Sequence, residues 1–249
     1  MSTLTFQIFR GDSSGGHMEE HQTEVAEGMV VLDALHQIQA SASPDLALRW
    51  NCKAGKCGSC AAEINGKPRL MCMTRLNELP TEKPITVEPM KTFPLVKDLV
   101  TDVSWNYAVK QKIRKLKTRP ADAADGTWRT EQKDVDRVQE FRKCIECFLC
   151  QDVCHILRDH KLHERFIGPR FLVYTAALEM NPIDTENRLE DLKTDQGIGY
   201  CNITKCCTTV CPEGIQITDN AIIPLKERVV DEFYDPVLKA FRVLTGKSK

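Results

Sequence analysis

Leu4, Phe6 and Ile8 alternate with Thr5, Gln7 and Phe9, a period of two that predicts a strand at the start of the chain. The acidic stretch 11–28 breaks the alternation and reads as a long hairpin loop or connection. From Met29 the apolar positions Val30, Val31, Leu32, Leu35 and Ile38 follow helical spacing, ending at the Ser-Ala-Ser-Pro break at 41–44. The run Ala61-Ala62-Glu63-Ile64 leads into Asn65-Gly66, the dipeptide that most favours a two-residue hairpin turn, because both positions accept positive φ. The first hundred residues therefore predict a small mixed sheet with one helix. After Pro94 the period changes. Leu95, Val96, Leu99, Val100, Val103 and Tyr107 recur at i+3 and i+4, and a proline suits a first helical turn, so a helix is expected there. Beyond it only helices and loops are expected: 134–144, 170–180, 187–192 and 219–233 carry helical spacing, and 119–128 is a polar connection. The amphipathic stretch 221–241 is expected to pack on these helices or on a partner. The fold class is thus α+β, with a boundary near Val103 dividing the chain into 1–103 and 104–249.

With 249 residues, the chain is long enough for one or two domains with cores of their own. Lys plus Arg total 34 against 35 for Asp plus Glu, so no overall basic field exists to drive nucleic-acid binding. A hydrophobic fraction of 42% and a charged fraction of 28% fit a soluble globular chain, and no run approaches the ~18 apolar residues of a membrane span. The composition departs from the ordinary in its 12 cysteines. Disulfides, zinc and iron-sulfur clusters compete to explain them. The N-terminal segment carries neither an apolar signal core nor an Arg- and Ser-rich presequence, so the chain is expected to stay in a reducing cytoplasm, which disfavours disulfides.

The cysteines form three groups of four. Cys52-x4-Cys57-x2-Cys60, closed by Cys72, matches the ligand spacing of a plant-type 2Fe-2S centre. Gly55, Gly58 and Ser59 would let the loop adopt unusual backbone angles and aim amide N–H groups at sulfur. The strand, helix and hairpin around this loop are what a β-grasp ferredoxin would present. A four-thiolate zinc site is the alternative, and the x4 gap and glycine-rich loop fit it less well. Cys144-x2-Cys147-x2-Cys150-x3-Cys154 is the bacterial ferredoxin run, in which the fourth cysteine ligates the other cluster, so a partner run is required. Cys201-x2-Thr204-x2-Cys207-x3-Cys211-Pro212 has the same frame with threonine in second place. Exchanging fourth ligands gives one set of four, Cys144, Cys147, Cys150 and Cys211, expected to hold 4Fe-4S. It leaves one set of three, Cys154, Cys201 and Cys207, expected to hold 3Fe-4S with Thr204 at the empty corner. Cys206 is left over and reads as a small buried hydrophobe.

A plant-type centre followed by a paired bacterial-ferredoxin module resembles the iron-sulfur subunit of succinate dehydrogenase and fumarate reductase, of bacterial type. The resemblance spans nearly the whole chain and includes Cys52-Lys-Ala-Gly-Lys-Cys-Gly-Ser-Cys60, Ile64-Asn-Gly-Lys-Pro-Arg69, Glu88 to Leu99, Phe166-Ile-Gly-Pro169 and Cys207-Thr-Thr-Val-Cys-Pro212. It implies a β-grasp 2Fe-2S ferredoxin domain followed by an all-α two-cluster domain, working as an electron wire. Electrons would pass singly from the FAD of a flavoprotein subunit through 2Fe-2S, 4Fe-4S and 3Fe-4S to a quinone, menaquinone or ubiquinone. The quinone would be met at an integral membrane anchor that can carry haem b. The implied location is peripheral, on the cytoplasmic face of the bacterial inner membrane. No catalytic residue is expected on this chain. A fumarate reductase running in reverse, another multi-subunit reductase such as a disulfide-reducing complex, and a soluble redox carrier are the alternatives.

In many relatives a proline follows the first 3Fe-4S cysteine and tryptophans near it contribute to the quinone pocket. Here the segment is Cys154-His-Ile-Leu-Arg-Asp-His-Lys-Leu-His163, and Trp50, Trp105 and Trp128 lie elsewhere in the sequence. His155, His160 and His163 could serve proton delivery or head-group contact, with three partly exposed imidazoles on a polar loop as the plainer reading. The six basic residues of 110–119 could meet lipid or the flavoprotein, with a solvated helix face favoured.

Overall fold

The computed structural model describes residues 2–238 and 240; Phe241, the end of the amphipathic stretch, lies outside them. Strands β1 (Ser2–Asp12) and β2 (Gly15–Val25) form a long hairpin, followed by helix α1 (Val31–Ser41). Strands β3 (Ala61–Ile64), β4 (Lys67–Leu70), β5 (Ile85–Glu88), β6 (Leu95–Lys97) and β7 (Val100–Thr101) complete one mixed sheet. Its order is β4-β3-β5-β1-β6-β7, with β2 also paired to β1. β1 runs parallel to β5, and Asn65 and Gly66 take the positive φ angles expected of the β3–β4 turn. Phe6, Ile8, Ile64, Ile85 and Val87 from the sheet, with Val31, Leu32, Leu35 and Ile38 from α1, form the first core.

Two expectations for the sheet domain differ from the structure. Residues 15–25 are a strand rather than a loop, in register from Ser2↔Val25 to Asp12↔Gly15. β2 pairs only with β1, and of its side chains only His21 and Val25 are buried, so it carries the polar residues of a protected sheet edge and shows no apolar period. Residues 95–101 are two short strands rather than a helix. Asp98 at their turn is left-handed (φ 49°) and buried, and its carboxylate accepts the backbone N–H groups of Gly11 (2.9 Å) and Ala47 (2.8 Å). That pair of bonds pins the turn to the end of β1, and the helix begins only afterwards, as α2 (Ser104–Lys112).

The remaining named elements are helical, as expected: α3 (Gln132–Gln139), α4 (Leu149–Asp152), α5 (His155–Arg158), α6 (Pro169–Glu179), α7 (Leu189–Lys193), α8 (Cys206–Thr209) and α9 (Ile223–Phe233). A wide π-helical turn, Ile217–Ile222, enters α9. Pro224 explains it: lacking an N–H and crowding the carbonyl four residues back, proline is accommodated where the turn widens. The basic stretch 110–119 is not one helix face. Lys110 pairs with Glu146, Arg114 with Glu186 and Asp191, and Arg119 with Asp122, so half of its charges are neutralised within the chain. No helix among the described residues is long and apolar enough to cross a membrane.

The sheet and the helical part meet through buried polar contacts. Thr92 donates its backbone N–H to Asp152 Oδ1 (3.1 Å) and its hydroxyl to the Asp152 carbonyl (3.0 Å), while within the helical part Gln151 Nε2 donates to the carbonyl of Ile167 (3.0 Å) and to Asn106 Oδ1 (3.4 Å). Glu63, fully buried on β3, is held by Arg158 (2.7 Å) and Lys91 (3.3 Å). The Phe166-Ile-Gly-Pro169 segment owes its glycine to Gln151. A Cβ on Gly168 would stand 2.1 Å from Gln151 Oε1, at a φ of 80°, and Pro169 then opens α6.

Arg188 is the largest fully buried side chain and joins the α6–α7 loop to the segment after α2. It donates to the carbonyls of Arg114 and Lys115 (2.7 Å each) and pairs with Asp184 (2.9 Å) and Glu179 (3.3 Å). Replacing it by methionine strands two carboxylates indoors, so Arg188→Met is expected to cost about 3–5 kcal/mol in equilibrium unfolding. A loss under about 1 kcal/mol would show that these carboxylates find other partners.

Candidate metal centres

The β3–β4 hairpin joins the ends of the first sulfur group, since Cys60 precedes β3, Cys72 follows β4, and Met71 N–H bonds the Cys60 carbonyl at 2.9 Å. Cys52 and Cys57 sit on a loop where Lys53, Gly55 and Gly58 all have positive φ. The curl aims three backbone N–H groups, from Ala54, Lys56 and Cys57, at Cys52 Sγ at 3.3–3.4 Å. Such donors stabilise negative charge on sulfur, the arrangement expected from the glycine-rich sequence. Burial opposes ionisation of Cys57, yet hydrogen bonds from Ser59 and the loop draw its thiol down to about 6. Burial pushes Cys60 up to about 12.

The second and third groups are backbone copies of one another. Glu146 and Phe148 flank Cys147 with φ of 56° and 62°; Ile203 and Lys205 flank Thr204 with 61° and 63°. Each loop then opens a one-turn helix, α4 or α8, carrying Cys150 or Cys207. A β-branched residue in the left-handed region, as at Ile203, is an outlier that persists where the surroundings impose it. The matching frame therefore puts Thr204 in the place of Cys147.

In space the fourth cysteines are exchanged. Cys144, Cys147, Cys150 and Cys211 line one cavity, together with Arg170 and Val173. Cys154, Cys201, Cys206 and Cys207 line another, with Thr204 and Thr218. Cys206 departs from expectation: it is half-buried, lines this cavity, and its Sγ lies 3.2 Å from Thr204 Oγ1. Arg170, overlooked in the sequence, is buried beside Cys144, bonds Glu146 at 2.6 Å, and favours the Cys144 thiolate against the effect of burial. Thr218 was also hidden from sequence; it lies 3.5 Å from Cys207 Sγ. Burial holds Cys147 and Cys154 up at about 12, Cys207 at about 11, and Cys150 well above its ordinary value.

No disulfide joins any of the twelve cysteines. No three Cys, His, Asp or Glu side chains among the described residues converge closely enough to hold a single metal ion. In the second and third groups four thiols line each cavity, a donor set that suits polynuclear iron-sulfur clusters. The three sites adjoin in series. A Cβ on Gly58 would stand 2.7 Å from Cys147 Cα, so the first loop rests on the second, and Cys150 of the second cavity is close enough to feel the charge of Cys207 in the third.

A cavity of about 740 Å³ holds no cysteine. Trp105 and His163 line it with their rings packed edge to face at 4.8 Å, and Phe166 separates it from the third sulfur cavity. The tertiary fold thus brings a tryptophan to the histidine loop that the sequence order keeps apart. His163 is half-buried, and burial lowers its pKa, while His155 lines the third cavity with a buried, unpartnered Nε2. His160 is exposed and His155 and His163 are partly exposed, as the plainer reading expects, although the latter two also line cavities.

Comparison with known proteins agrees with this layout. Residues 5–107 match the model of a 2Fe-2S iron-sulfur cluster binding domain, and residues 140–215 that of a 4Fe-4S dicluster domain. The fold and the three sulfur sites define an iron-sulfur electron-transfer protein. The chain is 31% identical to the fumarate reductase iron-sulfur subunit of Mycobacterium tuberculosis, over 79% of its own length and 80% of that subunit. It is 29% identical to the succinate dehydrogenase iron-sulfur subunit of Bacillus subtilis, over 99% of its length and 98% of the other. Among solved structures, a chain of the Mycobacterium smegmatis Sdh1 complex in the apo form superposes with a TM-score of 0.91 at 56% identity. That match covers 94% of this chain and 98% of that one. The chain belongs to the family of iron-sulfur subunits of succinate dehydrogenases and fumarate reductases.

Two outcomes test the geometry. Gly58→Ala is expected to lower iron content at the first and second sites together, by separating the two loops; a loss confined to the first would contradict the close approach. The second concerns Asp152, whose carboxyl is raised to about 7 by burial and by the neighbouring Glu63 charge. A carboxyl raised above its unfolded value of about 3.9 loses native-state stability as pH climbs from about 4 to 7. Asp152→Asn lacks that loss, so its Tm relative to wild type is expected to rise across this range. A constant difference in Tm would show that Asp152 ionises freely.

Proposed function

We propose that this chain is the electron-transfer subunit of a membrane-bound succinate:quinone oxidoreductase. In this reading residues 1–103 are a β-grasp ferredoxin domain holding 2Fe-2S on Cys52, Cys57, Cys60 and Cys72. Residues 104–249 hold 4Fe-4S on Cys144, Cys147, Cys150 and Cys211, and 3Fe-4S on Cys154, Cys201 and Cys207. The observation that carries the reading is the unbroken series of three sulfur sites, joined by the Gly58–Cys147 and Cys150–Cys207 approaches. When bound, the clusters supply one-electron exchange, which splits a two-electron dicarboxylate oxidation into single steps.

The protein's part is placement and electrostatics. The amides around Cys52 and the guanidinium of Arg170 offset negative charge on the thiolates, and the buried contacts of Thr92 and Glu63 fix the first site against the second. No acid–base residue on this chain is assigned to substrate. FAD and the dicarboxylate site belong to a flavoprotein partner at the sheet end; quinone, and any haem b, belong to an integral membrane anchor beyond the third site. The location that follows is peripheral, on the cytoplasmic face of the bacterial plasma membrane. The same series serves a fumarate reductase with the current reversed.

Native purification is expected to yield an FAD-bearing subunit and an integral membrane subunit with this chain, and succinate-dependent quinone reduction. The reconstituted chain alone is expected to oxidise no succinate with any dye; turnover by it would refute the wire. A finer outcome concerns Arg170. Removing a buried positive charge beside Cys144 favours the oxidised cluster, so Arg170→Met is expected to lower the second cluster's reduction potential while the first keeps its own. An unchanged or raised potential would remove Arg170 from this role.

A further inference from the structure

We propose that Cys206 is a fourth protein ligand at the third site, which therefore takes up a fourth iron as 4Fe-4S when ferrous ion and an electron are supplied. The proposal rests on the assignment of that cluster to Cys154, Cys201 and Cys207. The cavity is lined by four thiols, not three. In the ligand frame the fourth corner belongs to residue 204, which matches Cys147 in spacing and in the paired left-handed residues on either side. Thr204 supplies only a hydroxyl there, a far weaker ligand for iron than a thiolate. Cys206 reaches that corner from two residues further on, its Sγ 3.2 Å from Thr204 Oγ1.

Adjacent residues on an extended chain point apart, but Cys206 and Cys207 open helix α8, where neighbouring side chains are about 100° apart, and both line the cavity. The first run shows the alternative. There the residue in the place of Cys206 is Leu149, which is buried in the core and does not line its cavity. The uptake step balances. One electron arriving from the second cluster reduces the oxidised 3Fe-4S core to its neutral form. Ferrous ion then adds to give a 4Fe-4S core of charge two plus, as the Cys206 thiol releases its proton to water and forms the S–Fe bond. In reverse, one electron passes to an added oxidant, Fe²⁺ leaves, and the Cys206 thiolate takes a proton from water, which returns the oxidised 3Fe-4S core and the thiol.

The test uses the intact complex. After anaerobic treatment with ferrous ammonium sulfate and dithionite, desalting and mild reoxidation, the EPR signal of oxidised 3Fe-4S is expected to fall at least tenfold in wild type. Bound iron is expected to rise by about one per complex, as the ligand count requires. Thr204→Ala is expected to convert likewise, and Cys206→Ser to keep its signal, with the 2Fe-2S signal reporting an intact fold. Mass mapping of iodoacetamide labelling in wild type needs no variant: Cys206 is expected to be labelled before iron loading and protected after it. A wild-type signal that survives ferrous treatment, conversion of Cys206→Ser as complete as wild type, or equal labelling in both states would overturn the proposal. A complex with no third cluster in either form would overturn both this inference and the assignment beneath it.

Discussion

Burial of thiols is the constraint on which the rest of this structure depends. Cys60, Cys147, Cys150, Cys154 and Cys207 are packed into apolar surroundings that keep them protonated far above neutral pH. They become thiolates only when a metal charge compensates for lost water, so iron uptake expels protons and contributes directly to folding. The helical part shows why it needs that contribution. Its ligand runs lie on four-residue helices, too short to be stable alone, and on left-handed residues that each cost about 1–3 kcal/mol. Cluster and packing together hold a backbone that neither sequence propensity nor hydrogen bonding would choose.

The second requirement is fixed spacing between sites, and polar burial supplies it. Glu63 and Thr92 from the sheet domain meet Arg158 and Asp152 around the second ligand run. Each group in this layer is specific about its partner, because leaving one unmatched indoors costs more than a lost apolar contact. The layer registers two modules that also touch where Gly58 packs on the backbone of Cys147. A purely apolar interface would allow sliding that a chain of one-electron sites could not tolerate.

Much of this was legible in the sequence, because cysteine spacing is a chemical signal independent of secondary structure. Fixed frames of Cys52–Cys72 and of the paired runs identified the three groups before any helix was placed, and Asn65-Gly66 marked its turn. What stayed hidden had physical reasons. β2 is an edge strand with a polar composition, and the turn at Asp98 mimics helical spacing over seven residues although its carboxylate fastens a strand end. Arg170, Thr218 and Trp105 belong to their sites through tertiary contact alone, and no local pattern marks them. Cys206 reads from sequence as a small buried hydrophobe because the strict three-residue frame excludes it; the curl at Lys205 turns its sulfur toward Thr204.

The central claim is that electrons cross this chain in single steps during turnover. Rapid freeze-quench EPR of the native complex mixed with succinate tests it most directly. Its clusters should become reduced, and then reoxidised by added quinone, at rates at least equal to steady-state turnover. Clusters that stay oxidised, or that respond more slowly than quinone is consumed, would show that the current takes another route.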